Sequence, residues 1–338
     1  MRFGLPLRPL LLCMAVVAAT GCGSDGPGIT EPGPEPEPTS NPSYVKLQSD
    51  PGDYIGAGRS YEYTQANSVI KVMTQGGLIA VNVDGDELWN AGFKLPAGMA
   101  TIQKGTYAGL QRYPFHDPAK GGLDWNGDGR GCNMLTGSVT VDSVTYTGGA
   151  LTLLHLQFVQ HCEGSAPALR GTIHWRADDK TVPPGPVTPV PAGLWKPAAG
   201  AVPGSGNYVY LRSDAGDWIG QGQTYVYTPA TTPITVTGTG GHVSIGVGGW
   251  GSDFQAMNSV TQLKPGYYGN IRRFPFHNPT RGGMDWGGNG RGCNTLTGWF
   301  VVDHVAYSGP NITALDLRFE QHCEGGTPAL RGAIRWRA

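Results

Sequence analysis

Two stretches hold the side chains most able to do chemistry, and each is a copy of the other. Asp124-Trp125-Asn126-Gly127-Asp128-Gly129 places oxygen donors at alternate positions before a glycine, the first half of a calcium-binding loop. Calcium takes about six to eight hard oxygens, which alternate side chains in a tight turn can supply. The second half of such a loop is missing, because its last position falls on Leu135, where a bidentate carboxylate belongs. The copy, Asp285-Trp286-Gly287-Gly288-Asn289-Gly290, loses one donor and one charge. No cofactor is expected; a calcium ion held by Asp124, Asn126 and Asp128 in the first copy is the secondary reading. Asx turns, in which Asp and Asn bond their own backbone, are the preferred reading.

The surrounding segment, Arg112–Gly137, matches Arg273–Gly298 at 18 of 26 positions. Its glycines and mixed charges predict a long loop with fixed internal contacts, the kind of element that carries function on a rigid scaffold. Trp125 and Trp286 offer faces on which sugar rings stack, and Asp124, Arg112, Arg130 and His116 stand near them in sequence to bond hydroxyls. Asp285, Arg273, Arg291 and His277 repeat that set. Tyr54/Trp218 and Tyr113/Phe274 are further aromatic pairs in turn-like contexts. Burial in a core is the alternative for any of them, and for Trp175/Trp336 it is the preferred one. The recurring arginines fit either an Arg–carboxylate network or an anion or sugar-acid site. Nothing matches G-x-S-x-G, H-E-x-x-H or a phosphate loop, so no catalytic residue is assigned. A hydrolase, if there were one, would draw on His116, Asp124 and His161.

Those residues need a frame, and the chain supplies it twice. Arg112-Tyr113-Pro114-Phe115-His116 returns as Arg273-Phe274-Pro275-Phe276-His277, and Gln160-His161-Cys162-Glu163-Gly164 returns as Gln321-His322-Cys323-Glu324-Gly325. Module one covers 44–177, a Pro-rich and extended linker 178–207, from which Trp195 could pack back onto module two, and module two 208–338. Ile234–Thr237 and His242–Val247 alternate around Gly240-Gly241, a hairpin signature. Leu315, Leu317 and Phe319 line one face of another strand. About eight strands per module among Gly-rich turns predict an all-β protein of two tandem antiparallel β-sandwiches, jelly-roll-like in preference to immunoglobulin-like. The 54 glycines and 27 prolines agree, and no helical period persists.

Cysteines fall one pair to a module, Cys132 with Cys162 and Cys293 with Cys323, at equal spacing. In an exported chain that pattern predicts one disulfide per module. A net charge of −1 leaves no basic excess to neutralise phosphates, so nucleic acid is not an expected partner.

The chain begins with Arg2 and Arg8, an apolar run from Leu10 to Ala19 too short to span a bilayer, and then Ala19-Thr20-Gly21-Cys22. This resembles the signal peptide and lipobox of bacterial lipoproteins, with Ala19 where leucine is usual. The resemblance implies cleavage of 1–21, lipidation of Cys22 and membrane anchoring; in a Gram-negative host, Gly23 would favour the outer membrane. Residues 22–43, rich in Pro, Gly and Glu, read as a tether. The repeated module is similar to secreted bacterial repeat domains of undefined function. The combined expectation is a non-enzymatic surface lipoprotein that binds a polysaccharide or another cell-surface partner, with a structural spacer as the alternative.

Overall fold

The computed structural model describes residues 41–338. Cys22, the signal segment and nearly all of the tether lie outside the described residues. In module one, apolar residues at alternate positions build β1 (Tyr44–Ser49), β2 (Ser60–Thr64), β3 (Val69–Gln75), β4 (Leu78–Asp84) and β5 (Leu88–Lys94). They continue as β6 (Gly105–Arg112), β7 (Gly122–Gly127), β8 (Leu135–Thr147), β9 (Ala150–Cys162) and β10 (Leu169–Arg176). Module two repeats them as β11 (Tyr208–Ser213), β12 (Thr224–Tyr227), β13 (Ile234–Thr239), β14 (His242–Val247) and β15 (Trp250–Gln255). It ends with β16 (Gly266–Arg273), β17 (Gly283–Gly288), β18 (Leu296–Ser308), β19 (Asn311–Cys323) and β20 (Leu330–Arg337).

Each module is one ten-stranded sheet, ordered β2-β1-β10-β9-β8-β6-β7-β5-β4-β3 in the first and in the same pattern in the second. The sheet folds over on itself, so its two halves supply both layers. Its edge strands β2 and β3, consecutive in the chain, come together to make a near-barrel. All pairings are antiparallel except β6 with β7 and β16 with β17. Among the described residues, no helix is long and apolar enough to cross a membrane.

The core of each half is aromatic. Trp125 stacks on Phe158 at 5.0 Å, and Trp286 on Phe319 at 5.1 Å. A β-carbon at Gly171 would run into the ring of Phe158, so only glycine lets β10 pass that close. Cys132–Cys162 and Cys293–Cys323 form one disulfide within each module, with Cα atoms 5.2 and 5.1 Å apart. Closing a loop of 30 residues contributes about 3–4 kcal/mol in the chain-entropy view.

The expectation for the loop is corrected. Arg112–Gly137 is not a single long loop, because β7 runs through it and sits inside the sheet, between β6 and β5. The chain leaves β6 at Arg112, makes an excursion over 113–121, and returns to pair in parallel beside its departure point, Arg112 opposite Leu123. That strand accounts for part of the rise from about eight expected strands to ten. The linker packs on module two. Val187 exchanges backbone hydrogen bonds of 2.9 and 3.0 Å with Tyr267, and the Trp195 carbonyl accepts from Arg318 at 2.9 Å. The linker therefore straps the outer face of module two.

Candidate functional site

One end of each module gathers four turns, and their polar groups are tied to one another. Asp53, 4% exposed, accepts from Ser49 Oγ at 2.6 Å and from the Gly56 amide at 2.8 Å. This buried carboxylate folds the β1–β2 connection so that Ile55 points in and Tyr54 points out. Asp217 does the same beneath Trp218. Arg130 Nε donates to the Ile55 carbonyl at 2.7 Å and Arg291 Nε to that of Ile219 at 2.7 Å, joining this turn to the one before β8 or β18. Their guanidiniums also lie over Trp89 and Trp250, at 5.6 and 5.4 Å. Glu163 accepts from the Asn133 amide at 2.6 Å, which ties the turn after β9 to the same place. Arg112 donates to the Asn133 carbonyl at 3.3 Å, and its guanidinium covers Phe115 at 5.1 Å. Arg273 treats Asn294 and Phe276 alike.

The result is a braced surface with aromatic tips. Phe115 and Phe276 are each 76% exposed, Tyr54 60% and Trp218 57%. Leaving such a ring in water forgoes about 1.5–3 kcal/mol of burial. That it happens at the same two turns in both copies distinguishes these rings from scattered surface apolar residues, which need no explanation.

The expected stacking faces are elsewhere. Trp125 and Trp286 are 0% exposed and cannot offer a face to any ligand. Both lie on the inward side of a strand whose burial alternates, β7 or β17, and that alternation could be read in Leu123-Asp124-Trp125-Asn126. The backbone of Trp125 is held by Gln160, fully buried, which accepts from its amide at 2.8 Å and donates to its carbonyl at 2.9 Å. Gln321 holds Trp286 in the same way. Sequence reasoning assigned these glutamines no role; their recurrence at apolar-register positions was the available signal.

Asp124 and Asp285 occupy the opposite, outward side, covered by the 113–121 excursion and its twin. A β-carbon on Gly122 would stand 2.8 Å from the His116 ring, so His116 lies flat against the strand. Burial raises the Asp124 carboxyl above its usual range, against the pull of Asn126 and Arg112. Burial raises Asp285 too, with the neighbouring charge of Asp253 adding to it and Arg273 opposing. His277 is lowered by burial and by His242. The secondary calcium reading finds no matching geometry. The Asn126 amide donates to Asp124 at 2.5 Å, so Asn126 meets that carboxylate as a donor, and Asp128 pairs with Arg130 at 3.2 Å. Among the described residues no group of three His, Cys, Asp or Glu is arranged for a metal. His116 and His161 are not brought into one set: the first packs on Gly122 of β7, and the second lies on β9, three strands away in the sheet.

No known protein family, curated protein or solved structure matches the chain.

Proposed function

We propose that the protein is an exported, non-catalytic binding protein whose two modules hold polysaccharide or cell-surface glycan on their braced turns. Tyr54 with Phe115 and Trp218 with Phe276 serve as stacking faces, and Arg112, Arg130, Arg273 and Arg291 position them. The observation that carries this reading is the exposure of the same two aromatic positions in both copies. Rigid rings lose little conformational entropy on binding, which suits a shallow surface meeting a flexible chain. The disulfides indicate folding in an oxidising compartment. Anchoring through lipidated Cys22 and a tether over 22–43 would put both modules outside a membrane. Screening the intact chain on a glycan array tests the reading, and retention by no glycan would reject it.

A spacer is the second reading, and one feature favours it: the two modules are locked together. Asn278 Nδ2 in module two donates to the Asn67 carbonyl at 2.9 Å and to Asp86 at 3.0 Å in module one, and Arg281 pairs with Asp86 at 2.9 Å.

The anchor has its own test. Cys22→Ser is expected to move the protein from the membrane fraction to the soluble fraction, and the wild type is expected to carry an acyl mass. Unchanged fractionation with no such mass would remove the anchor.

A further inference from the structure

The excursion of module two, 274–282, is held down by a stack of three rings that module one does not have. His242 on β14 lies nearly parallel to Phe274, with ring centroids 5.0 Å apart, and Phe274 stacks on His277 at 5.7 Å. The corresponding residues of module one are Leu78, Tyr113 and His116, so the first histidine is missing there. His277 lies flat on β17, since a β-carbon at Gly283 would stand 2.5 Å from its ring. Its Nδ1 is buried and has no hydrogen-bond partner among the described residues. A neutral ring with its proton on Nε2 suits that place. A second proton would go on Nδ1, and a buried donor without an acceptor is costly. The charges around the ring do not offset that cost. Asp253 on β15 is taken by His242 at 2.9 Å and by Ser244 at 2.6 Å. Asp285 on β17 faces the charge of Arg273 on β16, and Arg281 in the excursion is paired with Asp86 of module one. His242, once protonated, is a second cation across Phe274. Burial, and after it the charge of His242, hold the His277 imidazole below its usual 6.5.

The residue that follows His277 is Asn278, which locks the modules together. The Asn278 carbonyl accepts from the amides of Arg281 and Gly282 at 3.1 and 3.2 Å, and its Oδ1 accepts from the Thr280 amide at 2.9 Å. The two lock residues, Asn278 and Arg281, therefore belong to one braced turn. We infer that His277 is an acid-sensitive latch, whose protonation lifts the 274–282 excursion off β17 and so releases the contact between the two modules. A histidine held below its usual value in the closed form binds fewer protons there than in the open form. Closure is therefore fully favoured above about 6.5 and is lost as pH falls through the lowered value. Module one provides the contrast. His116 has the same buried Nδ1, but Leu78 brings no second cation and Asp117, the residue that follows, is exposed. Phe276 rides on the excursion of module two, so opening also moves one of the exposed rings. The latch does not depend on what those rings bind.

Small-angle scattering of the full chain at pH 7.5 and pH 5.0 tests the latch, together with hydrogen exchange, corrected for its intrinsic pH dependence, in peptides covering 274–284 and 113–123. At pH 5.0 the maximum dimension is expected to lengthen reversibly while both melting transitions remain. Amides in 274–284 are expected to lose about tenfold in protection relative to those in 113–123. His277→Phe, which keeps a flat ring and takes up no proton, is expected to stay closed at both pH values. His242→Leu, which installs the residue of module one, is expected to move the opening to lower pH. Identical scattering and relative protection at the two pH values would overturn the latch. Opening that persists in His277→Phe would also overturn it and assign the titration to other groups. Loss of the module-two melting transition at pH 5.0 would overturn it as well, by showing that acid unfolds the module instead of releasing the excursion.

Discussion

Trp195 lies parallel to Tyr210, their ring centroids 6.3 Å apart and their planes 5° from coplanar. The stack holds the linker on module two, with Arg318 beneath it bonding both the Trp195 carbonyl and Asp303. Trp195→Ala is expected to destabilise module two by about 1–3 kcal/mol, the range for uncovering a large apolar side chain. Lys46→Ala, at the position matching Tyr210, is expected to leave module one unchanged. Calorimetry that resolves the two transitions reads both; equal effects on the two modules would contradict the strap.

The lock between modules makes a second difference between the copies. Asn278 is 2% exposed, whereas Asp117, its counterpart in module one, is exposed. Module two also lacks the turn that carries Asp86, since Gly248-Gly249 close β14 onto β15 directly. The contact therefore cannot repeat head to tail and closes at two modules. Asn278→Ala with Arg281→Ala is expected to lengthen the maximum dimension in small-angle scattering while both melting transitions stay in place. An unchanged scattering curve would show that the modules are held by something else.

Much of the frame was legible because alternation and spacing are local signals. Leu315, Leu317 and Phe319 are 0, 1 and 0% exposed, and the Gly240-Gly241 hairpin joins Thr239 to His242 in register. The equal cysteine spacing pointed to both disulfides. The site was harder to read. Trp125 looked like a loop residue because glycines and Asx residues surround it, yet Leu123 and Trp125 keep a strand period that outweighs them. The exposed Phe115 was hidden in plain composition; prolines on either side of Phe115-His116-Asp117 keep it out of any strand ladder. The strap leaves a trace too. Trp299-Phe300-Val301-Val302 is apolar on both faces where Ser138-Val139-Thr140-Val141 alternates, and a strand apolar on both faces must be covered on both. What covers it is a long-range fact that no local period encodes.

Asp285 makes a pH dependence that can be signed. Its carboxyl titrates above 3.8 in the folded protein, because of burial and of Asp253. From about 3.8 upward the folded state binds the extra proton, so stability falls as pH rises through the folded value, and its contribution is fully present only below 3.8. Asp285→Asn, which cannot ionise, is expected to raise the melting temperature relative to wild type at pH 7 and to lose that advantage near pH 3.5. A difference that stays constant with pH would contradict the burial of this carboxylate.

The most direct test of glycan binding on the aromatic turns is affinity electrophoresis of the intact chain through gels carrying the polysaccharide that the array identifies. Phe115→Ala with Phe276→Ala, and Tyr54→Ala with Trp218→Ala, are each expected to cut retention at least tenfold, with about 1–3 kcal/mol lost per stacking face and little change in melting temperature. Retention equal to wild type in both double variants would contradict binding on the turns and leave the locked pair of modules as a spacer.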